Sequence, residues 1–231
     1  MEKKKNTKRK FPQKNIDIPT IKILTLGSST VGKTSFIMKF TENAYIENTL
    51  LTTGIDIQTK IIQTEEGKKI RANFYDTAGQ EKYKSISFNL VKNADGIILM
   101  YDITKKNTYK DISYWMEGIE ENKKKEFPIL LLGNKCDLEE KRKVSVEEGK
   151  ELANEYKIDF MESSNKSGFN IKEAGNLIIK KIIEIKEKEE EKEKKELKEK
   201  NLKNQNEKIK ITKETHTKKK KWSFSKICPF F

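Results

Sequence analysis

Between two strongly charged ends, short apolar and β-branched runs alternate with longer segments whose apolar residues recur every three or four positions. The runs "TIKILTL", "GIDIQTKIIQT", "KIRANFYDT", "GIILMYDI", "PILLLGNK" and "DFMESS" each have the length and side-chain type of a strand. Only "EEGK" separates the second from the third, which makes them a hairpin. Helical spacing appears at "KTSFIMKF", across residues 108–122, and across 146–156 behind "SVEE", where Ser145 and Glu148 have the offset of a capping box. A last helix is entered at Asn170. Strands separated by helices pair through crossovers, so the pattern predicts an α/β fold: a mostly parallel, six-stranded sheet with helices on both faces. Ligands of such sheets sit at the carboxyl ends of the strands, and the short loops there carry the chemistry.

A chain of 231 residues is long enough for one substantial core. Its formal net charge of +13 invites a nucleic-acid partner, but the charge is unevenly spread. Residues 1–20 carry 7 Lys/Arg against 2 Asp/Glu, and residues 186–231 carry 16 against 9, which leaves the segment between them close to neutral. The basic character therefore belongs to appendages that solvate or meet acidic surfaces, and a nucleic-acid partner is disfavoured. Three parts follow: a basic N-terminal extension over 1–20, a folded domain over 21–185 and a charged tail over 186–231. "MEKKKNTKRK" lacks the apolar core and cleavage site of a secretory signal. Runs such as "GIILMY" and "PILLLG" fall short of the roughly 20 residues a membrane-spanning helix needs. Cys136 and Cys228 stand far apart with no CxxC or Cys/His cluster, which argues against zinc and a disulfide framework and for a reducing, intracellular setting.

The first strand runs into "LGSSTVGKTS", where Gly27, Gly32, Lys33 and Thr34 meet the pattern G-x-x-x-x-G-K-[ST]. With a strand before it and a helix after it, that pattern forms a phosphate cradle: glycine lets the backbone approach closely, while successive N–H groups and the helix N-terminus supply positive potential. On this reading Gly27, Ser28, Ser29, Thr30, Val31, Gly32, Lys33, Thr34 and Ser35 wrap the phosphates. Lys33 reaches the β- and γ-phosphates, and the Thr34 hydroxyl can ligate a Mg²⁺ that bridges them.

Four further polar clusters fall where the predicted strands begin or end: Thr52 in "LLTTGID"; Asp76, Gly79 and Gln80 in "YDTAGQE"; Asn134, Lys135 and Asp137 in "GNKCDL"; and Ser164, Asn165 and Lys166 in "ESSNK". With the phosphate loop these make five ordered stretches that resemble the guanine-nucleotide motifs of the Ras superfamily of small GTPases, over residues 21 to about 180. Within it, "TTGID", "DTAGQE", "LMYDIT" and "GNKCDL" are most similar to the Rab branch.

The resemblance implies a monomeric switch that binds GTP and GDP, hydrolyses GTP slowly without an activating protein, and regulates vesicle or membrane traffic from a membrane's cytoplasmic face. An exchange factor, an activating protein and effectors would be its partners. A second reading is a nucleotide-loaded binding module that recruits partners with little turnover. In the family's pattern the Asp137 carboxylate pairs with the N1–H and exocyclic amine of guanine, Asn134 braces the base, the Lys135 stem lies along one face of the ring and Tyr45 along the other. Ser164, Asn165 and Lys166 complete the base site, Asn165 through its backbone N–H. Thr34 and Thr52, with Asp76 acting through a water, would complete the Mg²⁺ shell. Gln80 would orient the attacking water, with Lys33 and Thr52 as its catalytic partners. Loss of the γ-phosphate would release the loop that holds Thr52, which is how such a switch reports hydrolysis.

The chain also departs from that pattern. Thr30 stands where most relatives carry Gly, adding a side chain where the backbone hugs phosphate. Asn165 stands in place of the usual Ala, while Ile57, Tyr75, Leu90 and Val91 replace the aromatic patch through which Rabs meet effectors. Residues 186–200, "KEKEEEKEKKELKEK", suit a solvated helix continuing the last core helix or a disordered spacer. At the end, "KKKKWSFSKICPFF" puts Cys228 fourth from the terminus, the C-a-a-X frame of prenylation, with Phe231 favouring geranylgeranyl. Lys218 to Lys221 beside Trp222, Phe224 and Ile227 supply the polybasic and interfacial second signal of a lipidated membrane tail.

Overall fold

The six apolar runs form strands β1 (Thr20–Leu26), β2 (Ile55–Gln63), β3 (Lys69–Thr77), β4 (Gly96–Asp102), β5 (Ile129–Asn134) and β6 (Asp159–Ser163). They lie in one sheet in the order β2-β3-β1-β4-β5-β6 in a computed structural model that describes residues 18–45, 52, 54–64, 67–77 and 84–224. Every pairing is parallel except the β2–β3 hairpin. β4 and β5 are buried at every position, as a central strand covered on both faces must be, and this is why they read as unbroken apolar runs. β2, at the sheet's edge, keeps Ile55, Ile57 and Ile61 exposed on one face.

Helices α1 (Lys33–Glu42), α2 (Lys84–Val91), α3 (Lys106–Asn122), α4 (Val146–Tyr156) and α5 (Ile171–Phe224) connect and flank the strands. Alternate residues of the strands face opposite layers. Leu24, Leu26, Ile97, Leu99, Tyr101 and Leu131 pack with Ile112, Trp115, Met116 and Ile119 of α3 and with Ala153 of α4. On the other face Phe40 of α1 meets Phe74 of β3 edge-on, with ring centroids 5.3 Å apart. The first turns of α5 cover that face too, burying Ala174, Ile178 and Ile182. A side chain at Gly96 of β4 would come within 2.7 Å of Ile182 Cδ1. Helices on both faces, as the alternation predicted, leave the carboxyl edge of the sheet to the loops.

Two elements differ from the expectation. α3 begins at Lys106, two residues before the expected start at 108, because the turn after β4 closes at once: Lys105 N–H donates to Asp102 O at 2.9 Å and Thr108 N–H to Lys105 O at 3.0 Å. α2 has no apolar period to find. Its buried positions include Ser87 and Val91, whereas Ile86 points outward, 43% exposed. α4 follows the pattern closely: Glu148 N–H donates to Ser145 Oγ at 3.1 Å, and Glu148 Oε2 accepts from Ser145 N–H at 3.0 Å, completing the capping box.

The chain divides into two compact units, Met1–Ile182 and Ile183–Phe231. In the second, the Lys/Glu run is helical and belongs to the same α5, so of the two conformations open to it the helical one is found. An ion pair within it, Lys194 to Glu190 at 3.4 Å, is exposed and of the i, i+4 kind that supports an isolated helix by a few tenths of a kcal/mol. No helix among the described residues is long and apolar enough to cross a membrane.

Candidate nucleotide and metal site

β1 lies at the point where the strand order reverses, with β3 on one side and β4 on the other, and a crevice at the carboxyl edge opens there. The loop that leaves β1 fills this place. Gly27 stands at φ +133° and Gly32 at φ +104°, conformations that L side chains rarely adopt. Space is as restrictive as the dihedrals: a Cβ on Gly27 would lie 2.2 Å from Met100 O, and one on Gly32 would lie 2.4 Å from Asn134 Nδ2. Thr30 adopts φ +65°, the unusual backbone its position called for, although a β-branched residue resists it. Its hydroxyl accepts from Lys105 Nζ at 3.0 Å, and that contact ties the loop to the β4–α3 turn. Ser28 is held in a similar way, its hydroxyl donating to Asp111 Oδ2 at 2.6 Å.

Lys33, the first residue of α1, folds back over the loop and donates from Nζ to Gly27 O and Ser28 O, both at 2.9 Å. It is 6% exposed. Burial pushes its pKa down to about 8, and the nearby Asp76 carboxylate opposes that shift. Asp76, at the carboxyl end of β3, is raised by burial, against the hydrogen bond from Thr34 and the charge of Lys33. Its Oδ2 accepts from Thr34 Oγ1 at 2.6 Å and from Thr52 Oγ1 at 3.2 Å, and the two hydroxyls lie 2.9 Å apart. Asp76 Oδ1 is buried with no hydrogen-bond partner among the described residues. Three hard oxygen donors from α1, β3 and the segment between α1 and β2 thus converge beside a buried ammonium, a donor set that suits Mg²⁺.

The residues expected around the base gather at the ends of β5 and β6. Asn134 is 1% exposed and bridges three segments: its Nδ2 donates to Val31 O at 2.8 Å, and its Oδ1 accepts from Asn165 N–H at 3.3 Å and from Ser163 Oγ at 3.4 Å. Lys135, at φ +72°, reaches back to donate to Thr30 O at 3.0 Å and pairs with Asp102 Oδ2 at 2.7 Å. Asp137 is exposed, and its Oδ1 accepts from Ser164 Oγ at 2.6 Å, which fixes the carboxylate at the rim. Ser164 Oγ in turn accepts from Ser167 N–H at 3.1 Å. Lys166 is exposed beside them, Ser35 half-buried in α1, and Tyr45, 37% exposed, follows α1 by three residues. Gly79 and Gln80, with Cys228 of the tail, lie outside the described residues.

Three contributors escaped the sequence reading. Asp102 anchors Lys135, Asp111 holds Ser28 and Lys105 holds Thr30. Only Asp102 carried a signal: a carboxylate closing the fully apolar run "GIILMY" is out of place unless something pairs with it.

Known proteins give this geometry its context. The Ras family model matches residues 22–184. Rab-13 of Rattus norvegicus is 43% identical over 162 residues, which cover 70% of this chain and 79% of that relative. Rab-8B of Homo sapiens is 42% identical over 153 residues, 66% of this chain and 73% of the relative. Phosphate loop, hydroxyl–carboxylate cluster and base-side Asn-Lys-x-Asp thus stand at the carboxyl edge of a sheet whose sequence follows the same pattern nearly end to end. The chain belongs to the Ras family: it is a Rab-like small GTPase, a GTP-binding switch of vesicle and membrane traffic that hydrolyses GTP to GDP.

Proposed function

We propose the following division of labour within the site. The phosphate loop from Gly27 to Ser35 wraps the α- and β-phosphates with its backbone N–H groups, and Lys33 transfers its ammonium from the loop carbonyls to the β- and γ-phosphate oxygens. Thr34, Thr52 and, through a water, Asp76 hold Mg²⁺, which when bound neutralises charge on the β- and γ-phosphates. Gln80 orients the attacking water, its amide able to donate and accept but too weak a base to do more, so positioning and charge stabilisation carry the rate. Because Thr52 belongs to a loop and not to the sheet, loss of the γ-phosphate frees that segment, and the change is read by effectors. Arg142 is no candidate for a charge-neutralising finger, since Glu162 and Glu139 hold its guanidinium. A partner has to supply one.

Asp137 sets the base. Its two carboxylate oxygens match the paired donors of guanine and not the acceptor–donor edge of adenine, with Asn134, Lys135, Tyr45, Ser164 and the Asn165 N–H around the ring. The observation that carries the proposal is the convergence of Thr34, Thr52 and Asp76 oxygens beside Lys33, with the Asn134 amide joining that end of the site to the base end. The tail, through lipidated Cys228 and Lys218–Lys221, holds the protein on the cytoplasmic face of a membrane. Competition binding with Asp137→Asn tests the assignment: GTP should weaken and xanthosine triphosphate gain, because an acceptor has become a donor. Unchanged guanine selectivity would show the base site to be misassigned.

A further inference from the structure

Three consecutive carbonyls of the phosphate loop each accept a hydrogen bond from a base-side residue. Lys135 Nζ donates to Thr30 O at 3.0 Å, Asn134 Nδ2 to Val31 O at 2.8 Å and Asn165 Nδ2 to Gly32 O at 2.8 Å. The first two donors come from the end of β5 and the third from the loop after β6. Asn165 is the residue that departs from the Ala of the resembled pattern, and an Ala there has no side-chain donor to offer.

The bond is well placed to matter. Asn165 is 5% exposed, so its amide has little access to water as an alternative partner. Its orientation is fixed by chemistry, because Gly32 O can only accept and the nitrogen must face it. Gly32 O also accepts from Phe36 N–H at 2.9 Å, the bond that opens α1. Asn165 therefore fastens the first turn of α1, which carries Lys33 and Thr34, to the loop that borders Asp137 and Ser164. The close approach is itself part of the fit: a Cβ on Gly32 would come within 2.6 Å of Asn165 Nδ2.

We propose that Asn165 is a positioning residue that latches the base loop to the phosphate loop and so slows release of bound guanine nucleotide. A nucleotide gripped at both ends leaves when the two ends of its site part, and the latch opposes that parting without touching a reacting atom. The inference rests on the assignment above of the one loop to the base and the other to the phosphates.

The full chain, loaded with fluorescent GDP and Mg²⁺ and chased with excess GDP, tests it. Asn165→Ala should release GDP about fivefold faster, the net worth of one buried hydrogen bond. Asn165→Asp, isosteric but presenting oxygen to the Gly32 carbonyl, should be at least as fast. Asn165→Ala should lower the thermal midpoint of the GDP-loaded chain by no more than the about 2–4 °C that one hydrogen bond is worth in a domain of this size, whereas general loosening of the domain would lower it further. The latch is refuted if Asn165→Ala releases GDP within about twofold of wild type, if Asn165→Asp holds GDP as well as Asn does, or if the faster release of Asn165→Ala comes with a larger fall in midpoint. Failure of the wild-type chain to prefer guanine over adenine nucleotide would overturn the site assignment and the latch with it; the release results on a guanine-selective protein bear on the latch alone.

Discussion

Gly27 is the position where the phosphate loop tolerates change least, and the cost of changing it can be worked from the structure. Gly27→Ala meets two separate penalties. At φ +133° the backbone is one that an L residue occupies only under strain, at a cost of roughly 1–3 kcal/mol. The new Cβ would also lie 2.2 Å from Met100 O, 3.1 Å from Met100 C and 3.3 Å from Met100 N. These are backbone atoms of β4, a fully buried strand whose Met100 pairs with Leu132 of β5, so nothing can swing aside and overpacking adds about 1–3 kcal/mol. Gly54 separates the two effects, because it shares a positive φ, +104°, yet has nothing among the described residues within 4 Å of its would-be Cβ. Gly54→Ala should therefore show strain alone. For a domain of this size about 1 kcal/mol moves the midpoint by about 2–4 °C, so Gly27→Ala should melt about 5–20 °C below wild type. Gly54→Ala should lose clearly less. Thermal unfolding of the GDP- and Mg²⁺-loaded proteins, followed by far-UV circular dichroism, makes the comparison. Equal midpoints for the two variants, or a Gly27→Ala midpoint within about 2 °C of wild type, would refute the argument from contact.

Two further outcomes bear on the metal and the tail. Thr34→Ala removes one of three converging oxygens, so nucleotide affinity should become far less sensitive to chelator, and titration of Mg²⁺ against release of fluorescent GDP reads this directly; an unchanged Mg²⁺ dependence would exclude Thr34 as a ligand. Cys228→Ser should shift the protein from the membrane to the soluble fraction on cell fractionation, because a polybasic patch alone gives only reversible attachment, and a membrane-bound wild type whose Cys228 is unmodified by mass spectrometry would remove the lipid from the scheme.

The strands were legible because burial on both faces forces a continuous apolar run, and β4 and β5 are the extreme cases. The capping box at Ser145 was legible for a different reason: both of its hydrogen bonds are local, so the four residues from Ser145 to Glu148 contain the whole interaction. α2 was not, since it buries Ser87 and exposes Ile86, and packing against α3 rather than its own periodicity makes it a helix. The site divides along the same line. Residues that act through their own chemistry, such as Lys33, Thr34, Asp76 and Asp137, announce themselves by type and spacing. Those that hold them do not: Asp111 lies 83 residues from Ser28, Lys105 lies 75 from Thr30 and Asn165 lies 133 from Gly32, and each bond exists only because the sheet order brings the loops together.

What those supports hold in place is a site at odds with its own surroundings. Burial disfavours the charge on Lys33 and the charge on Asp76 alike, lowering the one pKa and raising the other, and their mutual attraction offsets this only in part. Thr30 and Lys135 sit at positive φ, and Asp76 Oδ1 is buried with no partner among the described residues. Each of these features weakens the isolated domain, and each would be answered by the ligands proposed above: phosphate oxygens would give the ammonium its counter-charge, and a divalent cation would give the carboxylate and hydroxyls theirs. Free energy withheld from folding in this way reappears as binding, because a ligand that favours the folded chain stabilises it by mass action. The same arithmetic explains why the supports are numerous. A loop that stores strain and desolvated charge would relax unless its carbonyls and hydroxyls were fastened from outside, and Asn134, Lys135, Asn165, Lys105 and Asp111 all reach it from the β4, β5 and β6 side of the sheet. Thr52 is placed differently: among the described residues its hydrogen bonds run to Thr34 and Asp76, the groups proposed to hold the cation, so on that proposal its contact with the site depends on the ligand.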